Sequence, residues 1–586
     1  MLNNLGRAVF NREYKLTANL WFKDIVNFSN MGETNRFIRD SFWGRITYHV
    51  SGHKYFYHKE ESPDYIIPDK YLIDSKKEGT NSVEVRPTSP KRNDSGNSTN
   101  SNDSNETLHN DNRIVVDWDG VDDPENPKNW SLFEKSIVVF QICLLTAVVY
   151  MSSAIFTPGV DQIMEELHIT RVKATVPLTT FVIGYGIGPM FLSPMSENAV
   201  FGRTYIYIVT LFIFFILQIP ISLVNDITSL SILRFFSGIF ASPCLATGGA
   251  SMGDITPKAY LPITIAIWSI SACAGPALGP LIGSIMVVKR NWHWTFWFVS
   301  MTSGILLVTF GFCLPETYEK TLLLRKAKRL RKVTGNPNIT SEGEIENEGL
   351  TVRQVAIETL WRPIEITLFE PVVLLIDLYI ALVYSILYIW FEGFPIAYMG
   401  TYNFTLITMG ATFITVAIGV NLGACVYVLY TYKWFTIPLN NNVKVHPEVF
   451  LPIMIVGSIF LPTGVLIFGW TVNPNVHWFG SLVGGALFGV GAFVVFQSSF
   501  LYLADSFPDY LASVFAGNDL LRSVIASVFP LFGHALFDNL AIDNYPVAWG
   551  SSVLGFISIG MILIPILFYL NGPKLRARSK YAETDL

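Results

Sequence analysis

The chain has 586 residues, of which 51% are hydrophobic and only 15% are charged, and its formal net charge is −5. Soluble globular chains carry about 25% charged residues, so this charge deficit excludes an ordinary soluble domain and predicts a membrane protein. Its five cysteines all lie in apolar segments, without a CxxC pair. This pattern argues against a disulfide framework or a metal site and favours packing roles.

Residues 1–135 are polar and heterogeneous, and the first residues lack an apolar run long enough for a cleaved signal sequence. The stretch 89–112, SPKRNDSGNSTNSNDSNETLHNDN, contains almost no apolar residue and is typical of disorder. We therefore expect residues 1–135 to form a partly disordered segment outside the membrane.

From about residue 136 onward, apolar runs alternate with short polar breaks. Each run has about 20 residues, which is enough to cross a bilayer as a helix. Six predicted spans lie in 136–314 and six more in 367–570, with a polar loop at 315–366 and a tail at 571–586. The pattern predicts an all-α polytopic membrane protein with twelve transmembrane helices in two sets of six.

Basic residues predict the orientation, because Lys and Arg favour cytoplasmic loops. With both ends inside, the inner loops hold KTLLLRKAKRLRK (320–332) and the tail holds KLRARSK (574–580). The outer loops then hold only Arg171, Lys173, Lys289 and Arg290. Both termini are therefore predicted to be cytoplasmic. We interpret 320–332 as a solvated helix at the inner leaflet, not a nucleic-acid site, because it is tethered between two spans.

The second span and the loop after it read GYGIGPMFLSPMSENAVFGR (184–203). The first glycines lie inside a span with no strand before them, which excludes a nucleotide-binding loop and favours close helix packing. The end of the stretch resembles the loop motif of the major facilitator superfamily in its fungal form, PxSE…GR. This resemblance implies that Glu197, Gly202 and Arg203 latch the cytoplasmic ends of the two halves together. The alternative is a solvated ion pair worth under ~1 kcal/mol.

Arg234 stands alone among apolar residues of the fourth span, SLSILRFFSGIFASPCLATGGASMGD. Burying an unpaired charge in lipid costs about 2.5 kcal/mol or more. Physical chemistry alone leaves two interpretations open, namely an interior functional group or a side chain that snorkels to the outer interface. The stretch resembles the fourth-span motif of proton-driven members of the superfamily. The resemblance implies that Arg234 takes part in proton coupling, by tuning a nearby carboxylate.

The fifth span contains GPALGPLIG (275–283). Gly275, Gly279 and Gly283 recur every four residues, so they share one helix face and predict a groove for another helix. Pro276 and Pro280 would set a bend that neighbouring helices can tolerate in a bilayer. The stretch resembles the antiporter signature of drug/proton exchangers, which implies that it seals the contact between the two halves.

Four further stretches resemble the fungal twelve-span drug/proton antiporter family of this superfamily. They are DWDGVDDPENPKNW (117–130), LPETYEKTLLLRKAKRLRK (314–332), ASVFAGNDLLRSVIASVFPLFG (512–533) and YLNGPKLRARSKYA (569–582). The resemblance implies the major facilitator fold, with two pseudo-symmetric six-helix bundles and alternating access. It also implies a plasma-membrane protein, functional as a monomer, that exports amphipathic drugs such as azoles, benomyl and methotrexate-like compounds in exchange for protons.

Substrate sites in this fold lie near the midplane between the halves. On span seven, Tyr384, Tyr388 and Phe391 recur at i, i+4 and i+7 and predict a stacking wall for flat drugs. Helix packing or an interfacial aromatic belt is the alternative for any single one of them. Glu392 follows near the outer end, where we expect it to be solvated. The predicted substrate-binding residues are Tyr384, Tyr388, Phe391, Glu392, Phe496 and Gln497.

Besides Arg234, the candidates for proton coupling are Asp377, Asp519 and Arg522. Asp377 lies deep in span seven, where an ionisable residue marks a functional site by default. Asp519 and Arg522 lie at i and i+3 of span eleven, so a self-satisfied structural ion pair is the alternative to a proton relay.

The sequence contains no Walker loop, HExxH zinc helix or nucleophile elbow. We therefore expect no enzyme activity, no metal and no cofactor, and a proton gradient as the energy source. Two other functions remain open: export of a physiological solute such as a polyamine or organic acid, and a non-transporting sensor that signals through the N-terminal segment.

Overall fold

The computed structural model describes residues 31–52, 55–62, 65–72, 113–348 and 357–582. The stretch 89–112, which we predict to be disordered, lies outside these residues.

Twelve helices in the described part of the chain are long and apolar enough to cross a membrane. The all-α fold predicted from the sequence, with its twelve spans, is confirmed. In chain order, spans 1 to 12 are Leu132–Leu167, Arg171–Ser196, Gly202–Ile221, Ile227–Ile255, Lys258–Lys289, His293–Cys313, Pro371–Thr401, Leu406–Asn440, Pro447–Thr471, Phe479–Ser506, Leu511–Asn539 and Ala548–Arg576.

Several spans are built from more than one helix, because prolines or small residues interrupt the backbone hydrogen bonding. The component helices are Leu132–Ala154 and Val160–Leu167 in span 1, Ile227–Ala241 and Pro243–Ile255 in span 4, Pro371–Phe394 and Pro395–Thr401 in span 7, Leu406–Thr412 and Ile414–Thr431 in span 8, and Ala548–Met561 and Leu563–Arg576 in span 12. Span 5 continues as one helix, Leu261–Lys289, through Pro276 and Pro280.

Spans 1 to 6 form one half of the molecule and spans 7 to 12 the other. The halves meet where span 2 packs against span 11 and span 5 against span 8. Thr179 of span 2, for example, donates a hydrogen bond to the carbonyl of Ser527 at 2.8 Å. Below, the terminal side is the side on which span 1 begins and span 12 ends, and the distal side is the other one.

The glycine row of span 5 receives span 1, a helix of the same half. A Cβ added at Gly275, Gly279 or Gly283 would lie 2.7, 3.0 or 1.9 Å from atoms of Tyr150, Ala154 or Ile155. The predicted groove is therefore present, and its occupant is span 1. Contact with the other half is made elsewhere on span 5, where a Cβ at Gly410 of span 8 would lie 2.7 Å from the carbonyl oxygen of Pro280.

On the terminal side, the N-terminal segment and the loop between spans 6 and 7 fold together. We call this unit the loop subdomain. It contains helices Met31–Asp40, Phe42–Val50, Glu319–Thr334 and Glu342–Asn347, and the parallel strands Ile114–Val115 and Ile339–Thr340. Its small apolar core includes Tyr71, Val116, Leu323, Leu330 and Ile339.

The basic stretch 320–332 is helical, as the sequence indicates, but it is not solvated on all sides. Leu323, Ala327 and Leu330 are buried in the subdomain core. Arg329 pairs with Glu60 at 3.2 Å and Lys326 with Asp119 at 2.6 Å. The ion pairs of Arg329 and Lys326 therefore hold the N-terminal segment against this helix.

Candidate transport pathway

A cavity of about 400 Å³ lies between the two halves on the terminal side. One half contributes the ends of spans 2 to 5, including Glu197, Arg203 and Asp254. The other contributes an aromatic wall from spans 8 to 11: Phe435, Phe450, Phe500 and Phe515. Such a cavity has the size and the mixed lining of a small-molecule site.

The aromatic wall was missed in the sequence analysis. Phe500 and Phe515 stack with ring centroids 3.7 Å apart, although they lie on different spans. Single phenylalanines in apolar spans carry no pattern that distinguishes a cavity wall from ordinary packing. Phe496, a predicted substrate-binding residue, stacks on Phe500 with ring centroids 5.7 Å apart and extends this aromatic surface along span 10.

Above the cavity, four buried hydroxyls meet where the halves touch. Tyr185 of span 2 lies 2.6 Å from the hydroxyl of Tyr384 and 3.0 Å from that of Tyr388, both on span 7. Tyr388 also lies 2.9 Å from the hydroxyl of Ser153 on span 1. The predicted tyrosine face of span 7 is thus turned to the other half and hydrogen-bonded to it. We call Ser153, Tyr185, Tyr384 and Tyr388 the tyrosine cluster.

Arg522 and Asp519 adjoin the tyrosine cluster on its span 11 side. They form the ion pair that their spacing predicts, with side chains 2% and 4% exposed. Arg522 also donates to the hydroxyl of Tyr150 on span 1 at 3.1 Å, and its guanidinium lies 5.4 Å from the ring centre of Tyr384. The pair is therefore not self-contained, because its arginine contacts both halves.

Arg234 is fully buried, so the snorkelling interpretation is wrong. It donates to the carbonyls of Ser152 and Ser153 at 2.9 and 3.1 Å. Its guanidinium also lies 4.0 Å from the ring centre of Phe181. Within the described residues no carboxylate lies in ion-pair distance of it. The predicted neighbouring acid is absent from this conformation, and Ser153 connects Arg234 to the tyrosine cluster instead.

Asp377 lies two helical turns before Tyr384 on the same face of span 7, beside Asn518 of span 11. Its Oδ1 accepts a hydrogen bond from Asn518 at 2.7 Å, and its Oδ2 has no partner among the described residues. Gln497 is also fully buried, with both amide atoms unpaired in the same described set. A buried polar group without a partner is costly and requires an explanation.

Arg203 lies at the cavity mouth, with its side chain 5% exposed. It pairs with Glu197 at 3.4 Å and with Asp254, the last acid of span 4, at 3.2 Å. The ring of Tyr318 covers it at 4.8 Å, and burial raises the pKa of that phenol above its usual range, so the ring stays neutral. All these partners belong to the first half and its loop, so in this conformation the cavity separates them from the second half.

Gly202 is required by the backbone next to Arg203. Its φ is +73°, and a Cβ there would lie 2.4 Å from a carboxylate oxygen of Glu316. That carboxylate accepts the backbone N–H of Arg203 at 2.9 Å. The glycine of the predicted motif thus allows Glu316 to fix the start of span 3.

On the distal side the halves are closed by an ion pair. Arg171 at the start of span 2 contacts Glu392 of span 7 at 3.2 Å and Asp161 of its own half at 2.6 Å. Glu392 is 5% exposed, so the expectation that it is solvated is wrong. It is buried because its partner comes from the other half.

Two six-helix halves with a cavity open on one side, an ion pair closing the other and buried charges between them define a membrane transporter of the alternating-access type. The chain belongs to the Major Facilitator Superfamily, which it matches over residues 142–530.

Its relatives include fungal drug-resistance proteins. The cycloheximide resistance protein of Candida maltosa is 55% identical over 93% of this chain and 99% of its own. Fluconazole resistance protein 1 of Saccharomyces cerevisiae is 42% identical over 87% of this chain and 93% of its own. The resemblance inferred from the sequence motifs is confirmed by these two proteins.

Among solved structures, the xylose transporter XylE of Escherichia coli in a partially occluded inward-open conformation shares the fold. Its TM-score is 0.51 at 11% identity, with 74% of this chain and 99% of XylE covered.

Proposed function

We propose that this transporter exports structurally diverse amphipathic drugs from a yeast cell in exchange for protons. It works as a monomer in the plasma membrane with both termini cytoplasmic. The terminal side is then the inside, and the conformation described here accepts drug from the cytoplasm.

The observation that carries the proposal is a chain of hydrogen bonds, completed by one cation–π contact, between buried charges of the two halves. Arg234 bonds to the carbonyl of Ser153, whose hydroxyl meets Tyr388. Through Tyr185 and Tyr384 the connection reaches Arg522 and its partner Asp519. A change of charge at one end therefore alters hydrogen bonds that span both halves.

Asp519 is the best-placed proton acceptor, because it is the one carboxylate that the described structure places in this connection. While it is charged, it holds Arg522 by a buried ion pair. A proton taken up on its carboxylate removes the attraction and leaves Arg522 to its contacts with Tyr150 and Tyr384. Because these tyrosines belong to different halves, the proton biases how the halves pack, and a bias of a few kcal/mol is enough to change the favoured conformation.

Drug selection follows from the aromatic wall. Phe500 and Phe515 line the cavity, and Phe496 stacks on Phe500 behind it. Aromatic rings accept flat apolar molecules with little demand on their shape. The relatives whose names report resistance to cycloheximide and to fluconazole support this substrate class. Gln497, whose amide atoms are unpaired among the described residues, would add hydrogen bonds to a bound drug, and the carboxylate of Asp377 would be a second candidate for taking up a proton.

The test is drug transport by purified protein in inside-out vesicles with an imposed pH gradient. We expect drug accumulation that stops when a protonophore collapses the gradient, and that falls by about tenfold or more in Asp519→Asn, since loss of a buried charged partner costs several kcal/mol. Asp538→Asn is the matched control, because Asp538 is an exposed aspartate of the same span. Accumulation that ignores the gradient would disprove proton coupling.

A further inference from the structure

The loop subdomain contains a cavity of its own, of about 360 Å³, separate from the transport cavity. Helix Phe42–Val50, helix Glu319–Thr334 and the segment around Glu60 form its walls. The loop between spans 2 and 3 closes it with Ala199 and Val200.

Six cationic side chains line this cavity against four acidic ones. The cations are Arg45, Arg325, Lys326, Lys328, Arg329 and Lys332, and the acids are Asp40, Glu60, Glu61 and Glu125. The acids are already engaged by the protein: Arg39 pairs with Asp40 and Glu125, Arg329 with Glu60, and Tyr48 donates to Glu61.

Three of the lining cations have no such partner. Arg45, Lys328 and Lys332 form no ion pair within 4.0 Å in the described parts of the chain, whereas Arg325 and Lys326 are held by Glu316 and Asp119. Lys328 and Lys332 lie at i and i+4, so both project from one face of their helix. The cavity therefore gathers positive charge that the protein does not neutralise.

The pKa values of Arg45 and Arg325 also indicate an excess of positive charge. Burial and the nearby charge of Arg45 lower the pKa of Arg325 to about 10, and burial lowers that of Arg45. Two guanidinium groups with depressed pKa values beside each other indicate a place where an anion would be favourable.

The cavity also lies at the membrane surface. Helix Phe42–Val50 turns Arg45 toward the cavity and exposes Trp43, Ile46 and Val50 on its other face. Trp43 stacks on Phe312 at the end of span 6 with ring centroids 6.1 Å apart. Tryptophan at the end of a span is typical of the headgroup level of a bilayer, and an exposed apolar helix face suits the same place.

We propose that this cavity binds a phosphomonoester-bearing anion, of the kind carried by phosphorylated phospholipid headgroups of the inner leaflet and by soluble phosphate esters. Lys328, Lys332 and Arg45 hold the phosphate. Because Ala199 and Val200 belong to the loop that positions Arg203, the bound anion stabilises the loop subdomain against the mouth of the transport pathway.

The test uses the full-length protein in phosphatidylcholine nanodiscs that contain either phosphatidylinositol phosphate or phosphatidylinositol, which lacks the phosphomonoester. Native mass spectrometry counts the bound lipid. A second arm adds inositol phosphate or inorganic phosphate without the anionic lipid. We expect binding that requires the phosphomonoester; lipid that stays bound against the soluble esters identifies the membrane as its source, and binding of the soluble esters alone identifies a soluble ligand.

The combined variant Arg45→Gln, Lys328→Gln and Lys332→Gln should weaken this binding by about tenfold or more, because it removes the three positive charges that hold the phosphate. The control Lys433→Gln, Lys574→Gln and Arg578→Gln removes the same charge from exposed sites on the terminal side and should leave binding unchanged. Thermal unfolding without lipid verifies that both variants fold. Equal binding by the cavity variant and the wild type, or equal loss in the control, would overturn the proposal.

Discussion

Arg234 and Arg522 are two buried arginines that the protein stabilises in different ways. Arg522 has the carboxylate of Asp519 beside it. Arg234 is surrounded by backbone carbonyls and by the ring faces of Phe156, Phe181 and Phe296. Carbonyl oxygens and ring faces carry only partial negative charge, so Arg234 is less fully compensated and depends on the geometry of its neighbours.

Tyr388 connects the surroundings of Arg234 in the first half to the second half. Its hydroxyl meets both Ser153 and Tyr185, so Tyr388→Phe interrupts the polar connection without changing the packing of the ring. One lost hydrogen bond is worth about 0.5–1.5 kcal/mol, so we expect proton-driven drug transport in vesicles to fall about three- to tenfold.

The control for this change is Tyr379→Phe on the same span. Tyr379 is equally buried, and its hydroxyl makes no hydrogen bond to the tyrosine cluster. Transport should therefore be preserved in Tyr379→Phe. If both variants transport alike, the hydroxyl of Tyr388 is not part of the coupling.

At the scale of single helices, the close fit of span 5 against span 1 depends on its glycine row. A side chain at Gly279 would meet the Cβ of Ala154 and the carbonyl of Met151 at 3.0 Å, and one at Gly283 would meet the carbonyl of Ile155 at 1.9 Å. Backbone atoms cannot move aside as a flexible side chain can. Larger residues here must therefore separate the two spans, and span 1 carries both Ser153 and Tyr150.

We expect Gly279→Leu to abolish drug efflux from cells while the protein still reaches the membrane, because separation of spans 1 and 5 displaces the polar connection without exposing charge to lipid. Drug efflux and surface labelling measure the two effects. Gly560→Leu is the control, since nothing lies within 4 Å of a Cβ at this position of span 12. Retained efflux in Gly279→Leu would refute the close-packing explanation.

The elements themselves could be predicted from the sequence, because length, apolar runs and i, i+4 spacing are local properties. The twelve spans, the glycine groove and the Asp519–Arg522 pair follow from them. Contacts between residues that are far apart in the sequence could not be predicted. Nothing near Ile114 indicates its strand partner Ile339, and nothing near Arg203 or Arg171 distinguishes Asp254 and Glu392 from other acids at span ends.

At the scale of the whole molecule, the contacts between the two halves differ between the terminal side and the distal side. On the terminal side a cavity lies between the halves, which still touch beside it where Thr436 donates to the carbonyl of Ala259, and Arg203 is satisfied inside its own half. The distal side is joined by the contact of Arg171 with Glu392. For the cavity to open to the distal side, this pair has to separate, while the latch predicted for Glu197 and Arg203 would form only as the terminal side closes.

Arg171 pairs with Glu392 across the halves and with Asp161 within one half. Substitution of Asp161 is therefore a matched control for substitution of Glu392, which tests whether the pair closes the distal side. Glu392→Gln should favour opening on the distal side by about 2 kcal/mol, or about 30-fold in the ratio of the two conformations. Asp161→Asn should leave that ratio unchanged.

Spin labels at Glu165 and Val476 lie one on each half, near the distal ends of spans 1 and 9. The distance between the two labels, measured by electron–electron resonance, reports how far the distal side opens. A longer distance should gain population in Glu392→Gln only. Because the pair must re-form before drug can enter from the terminal side, the same variant should bind drug from that side more weakly than Asp161→Asn does. Identical distance distributions in the two variants would show that the Arg171–Glu392 contact does not hold the distal side closed.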